Sequence, residues 1–370
     1  MAPRFNLADI AKALGVSVAT VSNALSGKGR VSVELAQTIR EKAKELGYIP
    51  SLAGRALSTG RSHVLGLVLA DIGHPLFPQF AQAIENAASV AGYGVLIGDS
   101  RGDIQAQTRA INRLVERGAD GIVVVPRHGT RIADIGHPIA VIDSPSSPGN
   151  TVSADHWNGG VQVGAHLSSL GHRSIAIIGL HPDSNVQNDR AGGIRSALPE
   201  ETHVELLWID ELEDEHGPGC ELGLLPFVEK GVTAFAAVSD LHALRAITEL
   251  QRRGVSIPGD VSVTGFDDLI WAGVIAPTLT TVRMNMARIA EIAVADLLRQ
   301  IEGASGEENA TPAAQSGQGV PMQLIIRQSS GPAPFGPVGN RSGGGPRPAT
   351  NKANGPILEN TTREGSDQTC

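Results

Sequence analysis

Residues 63–329 alternate short apolar runs, rich in β-branched residues, with longer segments whose apolar residues follow helical spacing. Strands are predicted at residues 63–69 and 94–97, followed by amphipathic helices at 77–91 and 104–117. Alternating strands and helices predict parallel sheets covered by helices on both faces. Such sheets bind ligands at the carboxyl ends of their strands. The pattern therefore predicts an α/β body with a binding site at that edge.

Charge is distributed unevenly along the 370 residues. Taken whole, a formal net charge of −8 argues against a nucleic-acid partner. However, residues 1–62 carry a net +5, residues 63–329 a net −14 and residues 330–370 a net +1. A small basic segment joined to an acidic body is typical of a protein with a polyanion-binding head. Chance fluctuation in a short segment is the alternative at this point.

The sequence lacks the motifs that are typical of membrane proteins, exported proteins and common enzyme classes. Apolar runs are too short for a membrane-spanning helix, no signal-peptide core is recognised, and only Cys220 and Cys370 are present, which favours a reducing cytoplasm. The eleven histidines are scattered, without HExxH, paired-cysteine, G-x-S-x-G or P-loop motifs. Asp267 and Asp268 are adjacent, but neighbours in a strand-end loop point apart. We therefore expect no enzyme activity, metal or cofactor.

Residues 1–62 carry the spacing of three short helices. Asn6 and Asp9 have the pattern of a capping box at the first helix, and Ser17 and Ser32 can cap the other two. A Gly-Val-Ser turn between the first two helices fits a helix-turn-helix, whose second helix enters the DNA major groove. Spacing alone also fits any small three-helix bundle.

Specific residues separate these alternatives. The head contains the motifs LADIAKALGVSVATVS at 7–22, RVS at 30–32, ELGYIP at 45–50 and SLAGRALSTGRS at 51–62. In this order they resemble the LacI/GalR family of bacterial repressors. The resemblance continues to about residue 327, over almost nine-tenths of the chain.

The resemblance implies a helix-turn-helix DNA-binding domain over residues 1–50 and a hinge helix or linker over 51–62 that folds on operator DNA. Val18 and Ala19 open the recognition helix, where they can offer apolar contact to a thymine methyl group. Asn23 stands at the third reading position, where many members carry Arg, and an amide favours adenine over guanine. The other implied DNA contacts are those of Thr20, Ser22 and Arg30 with phosphates and of Leu57 with the minor groove.

For the body, the resemblance implies two lobes like those of periplasmic sugar-binding proteins, with an effector in the cleft. Later motifs that carry it are ADIGHPLF at 70–77, SLGHRSI at 169–175 and PGDVSVTGFDD at 258–268. The chain is expected to cross between the lobes near Asp155, Thr280 and Val320. Lobe 1 would then comprise about 63–155 and 281–303, and lobe 2 about 156–280 and 320–329.

Asp143, Arg190 and Asp267 occupy positions at which members of this family contact a sugar or a purine. Phe77 can supply an apolar ring face, and Asp240 is also expected among the effector-binding residues. A carboxylate that accepts from vicinal hydroxyls, opposed by an arginine that donates, suits a carbohydrate. Charges that only cap strand ends or pair with each other are the structural alternative. Aromatic residues make up 3% of the chain, so few rings are available to stack a purine, and we favour a sugar or sugar derivative.

Residues 331–370 contain eight Gly and six Pro, which predicts a disordered tail from about residue 330. Some relatives end in a leucine-heptad helix that joins dimers into tetramers, and the sequence has no such heptad. We therefore expect a homodimer.

Together these features predict a cytoplasmic repressor that binds double-stranded operator DNA under the control of a small-molecule effector. An exported solute-binding protein is the rival class, which the missing signal peptide disfavours. The sequence does not separate repression from activation or from a response to a protein co-regulator.

Overall fold

The computed structural model describes residues 5–26, 31–48, 60–126, 136–142, 149–304 and 319–334. Its head consists of α1 (Leu7–Leu14), α2 (Val18–Ser26) and α3 (Val33–Glu45). The Asn6 side chain accepts from the backbone N–H groups of Ala8 and Asp9, and the Asp9 carboxylate accepts from the N–H of Asn6 at 2.8 Å. The capping box expected from the sequence is therefore confirmed.

The three head helices pack around one small core. Ile10, Val21 and Ile39 are fully buried, and each comes from a different helix. Gly15 ends α1 with a φ of 66°, a left-handed conformation that glycine adopts at little cost. Ser17 then accepts from the N–H of Thr20 at 3.0 Å, which begins α2. The predicted helix-turn-helix arrangement is confirmed.

The first sheet of the body has the strand order β2-β1-β3-β4, and all its pairs are parallel. Its elements are β1 (Val64–Leu69), α4 (Phe77–Val90), β2 (Gly94–Asp99), α5 (Ile104–Glu116), β3 (Gly121–Val124) and β4 (Ile139–Val141). The late helix α11 (Met286–Ala304) returns to pack against α4 and β3. Leu65 and Leu67 of β1 are fully buried, as expected for a central strand of a parallel sheet.

The second sheet repeats this arrangement with the order β7-β6-β8-β9, again parallel throughout. Its elements are α6 (His156–Ser169), β6 (Ser174–Gly179), α7 (Asn185–Ser196), β7 (His203–Trp208), α8 (Ile209–His216), α9 (Leu225–Glu229), β8 (Ala234–Ala237), α10 (Asp240–Arg252) and β9 (Ser262–Thr264). The parallel α/β body predicted from the strand–helix alternation is thus confirmed.

Two pairs of short strands accompany the crossings between the sheets. β5 (Ser153–Ala154) runs parallel to β11 (Gly319–Val320), and β10 (Thr281–Arg283) runs antiparallel to β12 (Gln323–Ile325). These strands lie next to residues 155, 280 and 320, where the crossings are expected.

Helices α6 and α7 touch backbone to backbone. A Cβ atom added at Gly160 would lie 2.2 Å from the carbonyl oxygen of Arg190, and one at Gly193 would lie 2.1 Å from that of Trp157. Only glycine permits so close an approach, so these two positions fix the spacing of the helix pair.

The chain remains packed beyond the tail boundary expected at residue 330. The N–H of Gly331 donates to the hydroxyl of Ser262 at 3.0 Å, and the N–H of Ala333 donates to the carbonyl of Leu170 at 2.8 Å. That boundary is therefore several residues too early, because these backbone groups are bonded to lobe 2. Residues 335–370 lie outside the described part of the chain.

Candidate functional site

A cavity of about 200 Å³ lies between the two sheets, at the carboxyl ends of their strands. Residues that follow β1, β3 and β4 form one wall, and residues that follow β6, β8 and β9 form the other. This is where ligands of parallel sheets bind. The polar side chains of the lining are Asp71, His74, His156, Ser184, Gln187, Arg190, Ser239, His242 and Asp267.

Arg190 and Asp267, both expected at the site, form a buried ion pair in the cavity wall. The Nη1 atom of Arg190 lies 3.0 Å from Oδ1 of Asp267 and also donates to the carbonyl of Val238 at 2.7 Å. The guanidinium lies over the ring of Phe266, 4.6 Å from its centroid. Burial raises the pKa of Asp267, while the adjacent Arg190 charge opposes that rise. The pair presents an acceptor and a donor to the cavity without a large net charge.

The backbone at Asp267 is strained. Asp267 has a φ of 107° and Asp268 a φ of 49°, both uncommon for residues other than glycine. The strain is held by the hydrogen bond from the Asp267 N–H to Val282 at 2.8 Å and by the ion pairs of Asp268 with Arg283 and Arg327. Asp268 is thus engaged by arginines, while Asp267 lines the cavity, as expected for neighbours that point apart.

Phe77, the first residue of α4, lines the cavity and is half-buried. Its ring meets the imidazole of His74 edge to face, with 5.6 Å between centroids. Phe77 therefore contributes an apolar ring to the lining of the cavity that also contains the ion pair.

The sequence predicts that Asp240 contacts the effector, but the structure places its side chain outside the cavity. The carboxylate is fully buried and accepts from the N–H of Leu269 at 2.7 Å and from the hydroxyl of Thr281 at 2.5 Å. It is not part of the cavity lining. As the first residue of α10, it points into the protein, while its neighbour Ser239 faces the cavity. The structure thus gives Asp240 a structural role in place of ligand contact.

Three histidines of the cavity were not expected from the sequence: His74, His156 and His242. Arg190 donates through Nε to Nδ1 of His156 at 3.4 Å, and burial together with that arginine lowers the pKa of His156 well below its usual value. Burial also lowers the pKa of His242 to about 3, and nearby His74, Arg245 and Arg190 act in the same direction. The only available signal was the position of His242 among buried residues of α10 such as Ala243 and Ala246, which does not by itself mark a binding residue.

Arg245, which stands where a small glycine is common in the resembled family, adds a charge on α10 itself. Its guanidinium donates to the Glu213 carboxylate at 2.7 Å and to the carbonyl of Cys220 at 2.9 Å. Glu213 therefore balances the extra charge within lobe 2.

In the head, α2 displays three of the predicted DNA-reading side chains. Val18, Ala19 and Asn23 are exposed, while Thr20 and Ser22 are half-buried. The hydroxyls of Thr20 and Ser17 are 2.8 Å apart. Three other predicted contact residues, Arg30, Leu57 and Asp143, lie outside the described residues.

The described residues contain neither a candidate membrane span nor a candidate metal site. None of their helices is long and apolar enough to cross a membrane. No group of three or more His, Cys, Asp or Glu side chains among them is arranged to hold a metal ion.

Two protein-family models match the chain. That of bacterial regulatory proteins of the lacI family matches residues 6–51, and that of a periplasmic binding protein-like domain matches residues 165–330. The HTH-type transcriptional regulator DegA of Bacillus subtilis is 31% identical over 346 residues, which cover 88% of this chain and 97% of DegA. The ribose operon repressor of Halalkalibacterium halodurans is 26% identical, with 87% and 96% covered.

A solved structure has the same fold. The lac repressor dimer bound to operator and an anti-inducer superposes with a TM-score of 0.73 at 22% identity, over 89% of this chain and all of that one. The match to DegA extends over both head and body, at an identity that establishes common descent. The chain therefore belongs to the LacI family of bacterial DNA-binding transcriptional regulators.

Proposed function

We propose that the protein is a homodimeric repressor whose affinity for operator DNA is controlled by a sugar or sugar derivative bound in the cavity between the lobes. The observation that carries the proposal is the buried Arg190–Asp267 pair, which lines a cavity between the two sheets in a chain that also has a helix-turn-helix head. Because such a regulator acts on chromosomal DNA, its place of action would be the cytoplasm.

The head supports DNA reading through α2. Val18 and Ala19 would contact thymine methyl groups, Asn23 would pair with adenine, and Thr20 and Ser22 would bind phosphates. In the proposal Arg30 adds a phosphate contact and Leu57 enters the minor groove of the operator.

The cavity supports a polyhydroxylated effector. Asp267 can accept from ligand hydroxyls, and the Arg190 fork can donate to ligand oxygens. Phe77 and Phe80 supply ring faces suited to the apolar side of a sugar. One relative, 26% identical, is a ribose operon repressor, which agrees with a sugar effector. A purine is the less favoured alternative.

The position of the cavity also supports control of DNA binding. Its two walls belong to different sheets, so an effector that contacts both stabilises one relative arrangement of the lobes. A ligand shifts such an equilibrium only through its differential affinity for the two arrangements. In this proposal Asp143 contributes a further carboxylate to effector binding.

A homodimer is favoured by exposed apolar side chains next to the Asp267 loop. Ile270 is 87% exposed and Val274 is 79% exposed. A second copy would bury them, and two heads would then read the two half-sites of a pseudo-palindromic operator. Ile270→Glu should convert the dimer to a monomer in sedimentation equilibrium, whereas Ile104→Glu, at an exposed position on α5, should leave the dimer intact.

The DNA part of the proposal is tested with the hinge. Genomic fragments selected for binding to the purified full chain provide an operator. Leu57→Gly should weaken binding to that operator by at least tenfold at fixed salt, while the thermal unfolding of the body stays unchanged. Equal operator affinity of the two proteins would contradict the hinge assignment.

The effector part is tested by a thermal-shift screen of the full chain with sugars, sugar phosphates and nucleobases. A compound that raises the melting temperature must also change operator affinity, measured by fluorescence anisotropy. Stabilisation by nucleobases alone would replace the sugar with a purine. If no stabilising compound changed operator affinity, control through the cavity would be disproved.

A further inference from the structure

His242 occupies an unusual position in the wall of the cavity. It lies in the first turn of α10, two residues after Asp240, and is only 4% exposed. Its side chain lines the cavity together with Arg190 and Asp267. The structure thus places an imidazole beside the two charged groups to which we assign effector binding.

Among the residues that the structure describes, the Nδ1 atom of His242 has no hydrogen-bond partner. His172, also buried in lobe 2, is different: its Nδ1 lies 2.9 Å from the hydroxyl of Thr233, and its Nε2 lies 3.0 Å from that of Ser262. An unpaired buried polar atom destabilises a folded protein, and such atoms are rare. Ala243 and Ala246 of the same helix are buried in the core of the second sheet, whereas His242 lines the cavity and does not belong to that apolar cluster.

The charge state of His242 limits what it can bind. Burial lowers the pKa of the imidazole to about 3, and three nearby basic residues, His74, Arg245 and Arg190, add to this effect. The ring is therefore neutral near pH 7 and offers one N–H donor and one nitrogen acceptor. A hydroxyl group, which both donates and accepts, is a matching partner for such a ring.

We propose that His242 is a specificity-determining residue of the effector site, which hydrogen-bonds a hydroxyl of a neutral polyhydroxylated ligand held at Arg190 and Asp267. This inference rests on the proposed function and extends it. Asp267 and Arg190 bind one part of the ligand, and His242 selects for a further hydroxyl of the same ligand. A deoxy ligand that lacks this hydroxyl leaves the imidazole unpaired.

The first experiment needs no ligand. Leu is close to His in volume and has no polar atom, so His242→Leu should raise the melting temperature of the free full-length protein by about 2–4 °C. His172→Leu is the matched control: it removes hydrogen bonds to Thr233 and Ser262 and should lower the melting temperature. If His242→Leu left the melting temperature unchanged or lowered it, His242 would be a packing residue and the inference would be wrong.

The second experiment measures binding of D-ribose, D-xylose, D-glucose, D-galactose and cellobiose to the full chain by calorimetry. For any sugar that binds, His242→Leu should weaken affinity about tenfold, whereas His242→Gln, which keeps a donor and an acceptor, should lose much less. The monodeoxy sugar that lacks the partner hydroxyl should bind the wild type and His242→Leu equally. Equal losses for every deoxy analogue would overturn the inference.

The two experiments separate the proposals. If none of these sugars binds, the sugar effector of the proposed function is wrong. The melting temperatures of the wild type and His242→Leu then decide whether the unpaired imidazole destabilises the free protein. If a sugar binds equally well to the wild type and to His242→Leu, the effector class stands and the role of His242 falls.

Discussion

Asp240 and Thr281 connect the start of α10 to the crossing strand β10. The hydroxyl of Thr281 donates to Oδ1 of Asp240 at 2.5 Å, and the N–H of Leu269 donates to Oδ2 at 2.7 Å. Burial, followed by the charge of Asp267, raises the pKa of Asp240 to about 8. A carboxyl group that is protonated near neutral pH therefore joins lobe 2 to a segment that crosses between the lobes.

The raised pKa of Asp240 predicts a pH-dependent stability. Between about pH 4 and about pH 8 the folded state binds more protons at this site than the unfolded state, so the stabilisation is present at acidic pH and lost as the pH rises. Asp240→Asn resembles the protonated acid and should reduce the decline between about pH 6 and about pH 8, by up to about 1 kcal/mol per pH unit. Urea denaturation measures this slope. Asp214→Asn, at an exposed position, is the control, and equal slopes for wild type and Asp240→Asn would refute the assignment.

The buried histidines predict a change of the opposite sign at lower pH. Burial lowers the pKa of His156, His172 and His242, so below about pH 6.5 the unfolded state binds more protons than the folded state. Stability at these sites is present above about pH 6.5 and lost on acidification. His156→Gln should reduce the acid-induced loss in urea titrations between about pH 5 and about pH 7, whereas His216→Gln, on the surface of α8, should not. Identical acid profiles for the two variants would contradict this prediction.

Removal of the Asp267 carboxylate should separate effector response from DNA binding. Asp267→Asn keeps the size of the side chain and one oxygen for Arg190, and should abolish the change in operator affinity on effector addition while free-protein DNA binding is retained. Asp267→Ala leaves the Arg190 charge buried and unpaired and should destabilise the body by about 3–5 kcal/mol. Anisotropy titrations and urea denaturation measure the two effects. An undiminished effector response in Asp267→Asn would remove this residue from the site.

Asn23 should affect sequence preference more than general affinity. It is exposed on α2, and loss of a paired amide–adenine contact costs about 1–3 kcal/mol against the matched operator. Asn23→Ala should therefore weaken operator binding about tenfold or more and leave non-specific binding nearly unchanged. Gln37→Ala, on the exposed face of α3, is the control. A uniform loss on operator and unrelated DNA would instead identify Asn23 as a phosphate contact.

The close contact of α6 and α7 predicts an unusual sensitivity to one methyl group. Gly193→Ala would place a Cβ 2.1 Å from the carbonyl oxygen of Trp157, so it should destabilise the body by about 1–3 kcal/mol or more. Gly303→Ala in α11 meets nothing within 4 Å and should stabilise the protein by up to about 1 kcal/mol. Thermal unfolding compares them, and equal shifts would show that the two helices can move apart.

Much of the fold was predictable because the apolar pattern is strong. The alternation of strands and helices specified both parallel sheets, and the Asn6–Asp9 box specified the start of α1. The position of Arg190 and Asp267 in the cavity lining could be anticipated because each stands in a recognisable motif, while their role towards a ligand stays a prediction. Asp240 could not be assigned correctly, because its side-chain direction depends on the tertiary contacts with Leu269 and Thr281. His242 was missed since a lone histidine in a helix gives no sign of whether its nitrogens are paired.

The hydrogen bonds of residues 329–331 also determine how the second sheet ends. The N–H of Val263 in β9 donates to the carbonyl of Ser329 at 2.8 Å, and the N–H of Gly265 donates to that of Thr280 at 2.9 Å. An uncovered edge strand would be a template for pairing with another chain. Ser329, together with Thr280, therefore protects the edge at β9 from intermolecular sheet formation. A truncation that ends before Ser329 exposes part of this edge and is expected to aggregate. A truncation that ends after residue 334 keeps the edge covered.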